Sequence, residues 1–161
     1  FKPELSNGAM MDIGIYTIYP MVVLFGRPQK IIASGMLLPT GVDGQGTVTC
    51  QYDGFDATVL YSKIADSALP TEIQGEEGII MCDRINLIGH VELKPRKGEL
   101  QDITPVKEHD EYFYEVKEFI DLILSGKQES LVNSHENSLI TLEIIDEVRR
   151  QLGVVYPADK T

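Results

Sequence analysis

Asp12, Tyr16 and Tyr19 stand at i, i+4 and i+7 in a stretch that reads as helix. That spacing puts all three on one face, beside the apolar stripe rather than in it. A carboxylate and a phenol one turn apart can share a proton network, and a phenol can pass a proton to or from a substrate oxygen. The same residues have plainer uses. An Asp in a first helical turn serves the helix dipole. A helical Tyr packs its ring and keeps its hydroxyl wet. Tyr19 lines a substrate pocket on one reading and packs in the core on the other. A free phenol has a pKa of about 10, and a carboxylate beside it raises that value. Proton transfer near neutrality therefore needs a cation, and none stands beside this helix in the sequence.

The helix that must carry these residues runs from start chemistry at Ser6-Asn7-Gly8 to a stop at Gly26 and Pro28. Met11, Ile15, Ile18, Val22 and Phe25 recur at helical spacing as its core stripe. Pro20 removes one backbone donor and is expected to kink or restart it. The middle of the chain reads as antiparallel sheet. Strands are expected at residues 30–38, 47–52 and 55–61, the last two joined by a hairpin at Asp53-Gly54. Further strands are expected at 71–74, 78–83, 85–93 and 101–106. Gly41-Val42-Asp43-Gly44 reads mainly as a turn, with a substrate-facing role as the alternative, and Lys63 to Pro70 mainly as an irregular connection, with a place near a cleft as the alternative. Tyr112 to Leu124 and Leu139 to Leu152 carry helical apolar stripes. Asn133 and Glu136 suggest a capping box for the second, and Arg149, Arg150 and Gly153 its end. This order gives an α+β domain: mostly antiparallel sheet, helices on one face, and a Thr- and Gln-rich face free for dimerisation.

The 161 residues suffice for one domain with a real core. A net charge of −11 repels nucleic acid and anionic lipid, and no apolar run reaches the roughly 18 residues of a membrane span. No secretory pattern opens the chain, so a cytoplasmic location is expected. Cys50 and Cys82 then read as free thiols, with a bridge between neighbouring strands left open. His90, His109 and His135 have no metal-ligand spacing, and no metal site is expected.

The run Gly8-Ala9-Met10-Met11-Asp12-Ile13-Gly14-Ile15-Tyr16, followed by Leu24-Phe25-Gly26 and Pro28, resembles the glucose–fructose oxidoreductase/inositol dehydrogenase (Gfo/Idh/MocA) family. The Asp-Ile-Gly-Ile-Tyr form is similar to the branch with dihydrodiol dehydrogenase; other members carry His where Tyr16 stands. Gly41-Val42-Asp43, Ile73 with Gly75 and Gly78, Glu115-Val116 with Glu118-Phe119-Ile120, and Ile144 to Arg150 extend the resemblance along the chain. It implies that residues 1–161 are a C-terminal substrate-binding and dimerisation domain. An N-terminal Rossmann domain outside this chain would bind NAD or NADP and supply a catalytic Lys in a Glu-Lys-Pro-type motif. Lys94-Pro95 follows Leu93 and is not that motif. The implied reaction is dehydrogenation of a CH–OH group on a sugar, polyol or diol. Tyr16 and Asp12 are the implied catalytic residues of this half, and the missing cation is expected from the other domain. The fragment alone is expected to be inactive, and the parent a homo-oligomer joined through the sheet. A non-catalytic relative kept for assembly or ligand sensing is the alternative. A free-standing binding module of unrelated fold is the third reading and requires the matched motifs to be coincidence.

Overall fold

The computed structural model describes residues 1–160 and divides into two compact units, one of Phe1–Asp66 with the segment from Ser134 onward, the other of Ser67–Asn133.

In the first unit a π-helical turn, Met10–Gly14, leads directly into helix α1, Ile15–Phe25. The amide of Ile15 donates to the Met10 carbonyl, the wider i to i−5 closure that defines such a turn. The helix runs through Pro20 to Phe25 without restarting. Strands β1 (Lys30–Leu37), β2 (Asp43–Gln51) and β3 (Asp56–Ser62) form an antiparallel sheet in that order. The expected hairpin is present: Gly54 has a φ of 83°, and the Tyr52 amide donates to the Phe55 carbonyl at 2.9 Å. Register pairs Ala33 with Val48, Val48 with Val59 and Cys50 with Ala57, so these residues share a face. That face joins Ile18, Met21 and Val22 of α1 in one core, closed by Ile140, Ile144, Ile145 and Val148 from helix α3, His135–Leu152. Burial pushes the Cys50 thiol up to about 11, and both cysteines are free. By length and composition Pro3–Phe25 is apolar enough to cross a membrane, with a mean hydropathy of 1.5, which corrects the expectation that no such run exists. Its two tyrosines and proline interrupt the run without lowering the mean enough. Its inner face lies in the core of this unit, as a core helix does.

The second unit holds β4 (Thr71–Gln74), β5 (Gly78–Cys82), β6 (Val91–Pro95) and β7 (Gln101–Asp102), a second antiparallel sheet, with helix α2 (Glu111–Leu124). The strands thus divide between two sheets. The strand expected at 85–93 begins only at Val91. The Asp83 carboxylate accepts from the amides of Arg84, Gly89 and His90 at 2.9, 3.0 and 3.2 Å, so a side chain, not a neighbouring strand, satisfies this backbone. The same bonds, chiefly that from Gly89, hold the Asp83 carboxyl below the usual range. The stripe of α2 is on the surface, with Phe119 and Ile123 exposed.

Helix α3 is capped by Ser134, which accepts from the Asn137 amide at 3.1 Å, rather than by the Asn133–Glu136 box. A hydroxyl one residue further along already satisfies the first-turn donor. The helix ends as expected at Gly153, in the left-handed conformation. Near that end Glu147 accepts from Arg150 and Gln151, and these bonds lower its pKa from 4.5 to about 2. A carboxyl depressed by folding stabilises above its unfolded pKa and loses that contribution as pH falls through the folded one. Acid denaturation between pH 4.5 and about 2 is therefore expected to flatten in Glu147→Gln relative to the native chain. An unchanged slope refutes the assignment.

Candidate active site

The site is built at the start of the first helix. The Asp12 carboxylate reaches back from the π-helical turn to the ammonium of Lys63, with Oδ2 to Nζ at 2.6 Å. Lys63 follows the last residue of β3, and its amide donates to the Gly44 carbonyl at 3.0 Å. Its ammonium also donates to Asn7 Oδ1 at 2.5 Å and lies 5.1 Å from the centre of the Phe1 ring. Lys63 is 18% exposed against 51% for Asp12, so the cation is the more enclosed partner. Partial burial strengthens such a pair beyond the worth of an exposed one.

Tyr16 stands one helical turn further on, 57% exposed, and its hydroxyl makes no hydrogen bond among the described residues. Its hydroxyl is open to an incoming molecule. Tyr19 is half-buried. The structure thus joins Asp12 to Lys63 and leaves Tyr16 unbonded to either, whereas the sequence reading joined Asp12 to Tyr16. A cation for Asp12, Lys63, stands in this same chain. Nothing local marks Lys63: it reaches Asp12 only because the β2–β3 hairpin returns the chain to the helix start.

A buried polar group lies at the same end of the unit. Asp43, the first residue of β2, is fully buried, and its Oδ2 accepts from the Met10 amide at 2.7 Å. The expected turn at residues 41–44 thus ends in strand, with Asp43 facing inward. The Gly8 amide donates to the Tyr156 hydroxyl at 3.1 Å. Tyr61 also points here: a methyl group at Gly46 would overlap its hydroxyl. Burial first, then the Asp43 charge, pushes the Tyr61 hydroxyl well above the ordinary tyrosine range. The Tyr61 hydroxyl lies close enough to the Asp43 carboxylate to interact with it by charge and by hydrogen bonding, although neither Asp43 Oδ1 nor that hydroxyl has a well-formed bond among the described residues.

Residues 1–81 match the GFO/IDH/MocA C-terminal domain. The chain belongs to the GFO/IDH/MocA family. Among its relatives, scyllo-inositol 2-dehydrogenase (NADP(+)) IolU of Bacillus subtilis is 51% identical over 160 residues, covering 99% of this chain and 49% of that protein. A trans-1,2-dihydrobenzene-1,2-diol dehydrogenase of Danio rerio is 35% identical, covering 98% of this chain and 50% of that protein. The chain therefore spans about half the length of the curated relatives it matches. Among solved structures, aldose-aldose oxidoreductase from Caulobacter crescentus superposes with a TM-score of 0.76 at 19% identity, over 91% of this chain and 46% of that one. UDP-N-acetylglucosamine 3-dehydrogenase GnnA from Acidithiobacillus ferrooxidans gives 0.75 at 17%, over 95% and 48%. These two likenesses show a shared fold.

Proposed function

We propose that the intact protein is an NAD(P)-dependent oxidoreductase acting on CH–OH groups of sugars, polyols or diols, and that this chain is its C-terminal, substrate-binding domain. The observation that carries the reading is the open Tyr16 hydroxyl one turn from the Asp12–Lys63 pair. The relatives named as inositol and dihydrodiol dehydrogenases support the substrate class. The described residues contain no Gly-rich turn between a strand and a helix to cradle a pyrophosphate. A separate N-terminal domain is the proposed main seat of the dinucleotide.

Tyr16 exchanges the proton of the substrate hydroxyl. Asp12 and Lys63 form an ion pair beside it, so the phenol faces a neutralised carboxylate rather than a bare one. Half-buried Tyr19 is the proposed substrate-lining residue beside it. The outer face of β1–β3, which exposes Ile32 and Leu60, is the proposed surface for pairing with a second copy, and the proposed location is the cytoplasm.

Assays of the intact protein with NAD and NADP against inositols, aldoses and trans-dihydrodiols test the reading. Reduction of nicotinamide is expected with at least one of these classes, and none with residues 1–161 alone. Ligand-induced stabilisation without turnover on any of them would favour a sensing role over catalysis.

A further inference from the structure

Asp43 presents a problem of chemistry. An ionised carboxylate taken out of water is costly unless a cation or several donors compensate it. Asp43 is fully enclosed, one backbone amide serves Oδ2, and Oδ1 has no well-formed hydrogen bond, with only the Tyr61 hydroxyl lying within reach of the carboxylate. The nearby cations are engaged elsewhere: Lys63 with Asp12 and Asn7, and Arg149 with Asp146 and Asp159. An apolar side chain of the same size would serve the core at least as well.

What the carboxylate does hold is the helix start. The first amides of a helix lack partners within it, and an acceptor there fixes where the helix begins. Asp43 Oδ2 takes the amide of Met10, the residue that opens the turn carrying Asp12. The next residue, Gly44, takes the amide of Lys63 on its carbonyl. Two consecutive residues of β2 thus bond the start of the turn that carries Asp12 and the backbone of Lys63. We propose that Asp43 is a positioning residue whose buried carboxylate fixes the first helical turn so that Asp12 meets Lys63. The proposal rests on the reading of Asp12 and Tyr16 as site residues.

A thermodynamic cycle in the intact protein tests it. Asp12→Asn, Lys63→Met and the double variant are compared by urea unfolding in the native, Asp43→Asn and Asp43→Leu backgrounds. Asparagine keeps the acceptor; leucine keeps the volume and removes it. Asp43→Ala replaces the leucine variant if that fails to fold. In the native and Asp43→Asn backgrounds the two sites are expected to couple by about threefold in the unfolding constant. In Asp43→Leu the coupling is expected to vanish. In the same proteins Asp43→Leu is expected to lower kcat per folded molecule about tenfold or more, with KM within about twofold, and Asp43→Asn to restore it. Coupling that survives Asp43→Leu, or that is absent from the native background, overturns the proposal. So does loss of stability alone with kcat per folded molecule unchanged. The cycle does not depend on turnover, so a fully active Tyr16→Phe variant would remove the catalytic reading and leave the outcome for Asp43 distinct.

Discussion

Tyr16→Phe is expected to lower kcat of the intact enzyme at least about a hundredfold, the usual worth of a positioned proton donor or acceptor. The fold is expected to be indifferent. The Tyr16 hydroxyl bonds to nothing among the described residues and the side chain is largely in solvent, so its removal costs no more than about 0.5 kcal/mol. A group used only in the transition state lowers kcat and kcat/KM together, which separates this outcome from a simple loss of substrate affinity. Steady-state kinetics beside a thermal melt of the same sample decides the matter. Native kcat with a native midpoint would remove Tyr16 from the chemistry.

Gly8→Ala is expected to be strongly damaging to the first unit. A methyl group there would overlap both Asp43 Oδ1 and the Tyr156 hydroxyl, well inside van der Waals contact. Neither neighbour moves freely: Tyr156 is buried, and Asp43 is tied to Met10. Overpacking together with disturbance of a buried hydrogen bond amounts to about 3 kcal/mol. That is roughly a 10 °C drop in melting temperature for a domain of this size. Gly126→Ala is the comparison. Its φ is 67° and nothing lies within 4 Å of the added carbon, so only backbone strain of about 1 kcal/mol remains. Equal losses at the two positions would refute the packing described around Asp43.

Local patterns carried the sequence reading where local forces set the structure. The hairpin at Asp53-Gly54, the inward alternation of Val48 and Cys50 against Ala57 and Val59, and the end of α3 at Gly153 each follow from a few neighbouring residues. The loop at 83–90 was hidden because residues 85–93 have a strand-like composition, while one side chain, Asp83, satisfies their amides. Of the candidate site, Asp12 and Tyr16 were legible as a spacing and through a family resemblance. Lys63 was not, since its place depends on the register of a hairpin and on a backbone bond to Gly44. Asp43 was read as part of a turn for a similar reason: its role appears only when the helix start is folded against it.

The turn at Met10–Gly14 sets an indexing constraint on anyone who redesigns or aligns this region. It holds one residue more than an α-helical turn would need to close. Deleting a single residue there would restore ordinary pitch and rotate everything upstream by about 100° around the axis. The carboxylate of residue 12 would swing away from its ammonium while Ile18, Met21 and Val22 kept their places in the core. A gap of one in this segment is therefore a change of aim, invisible to hydrophobicity and decisive for which way the charge points.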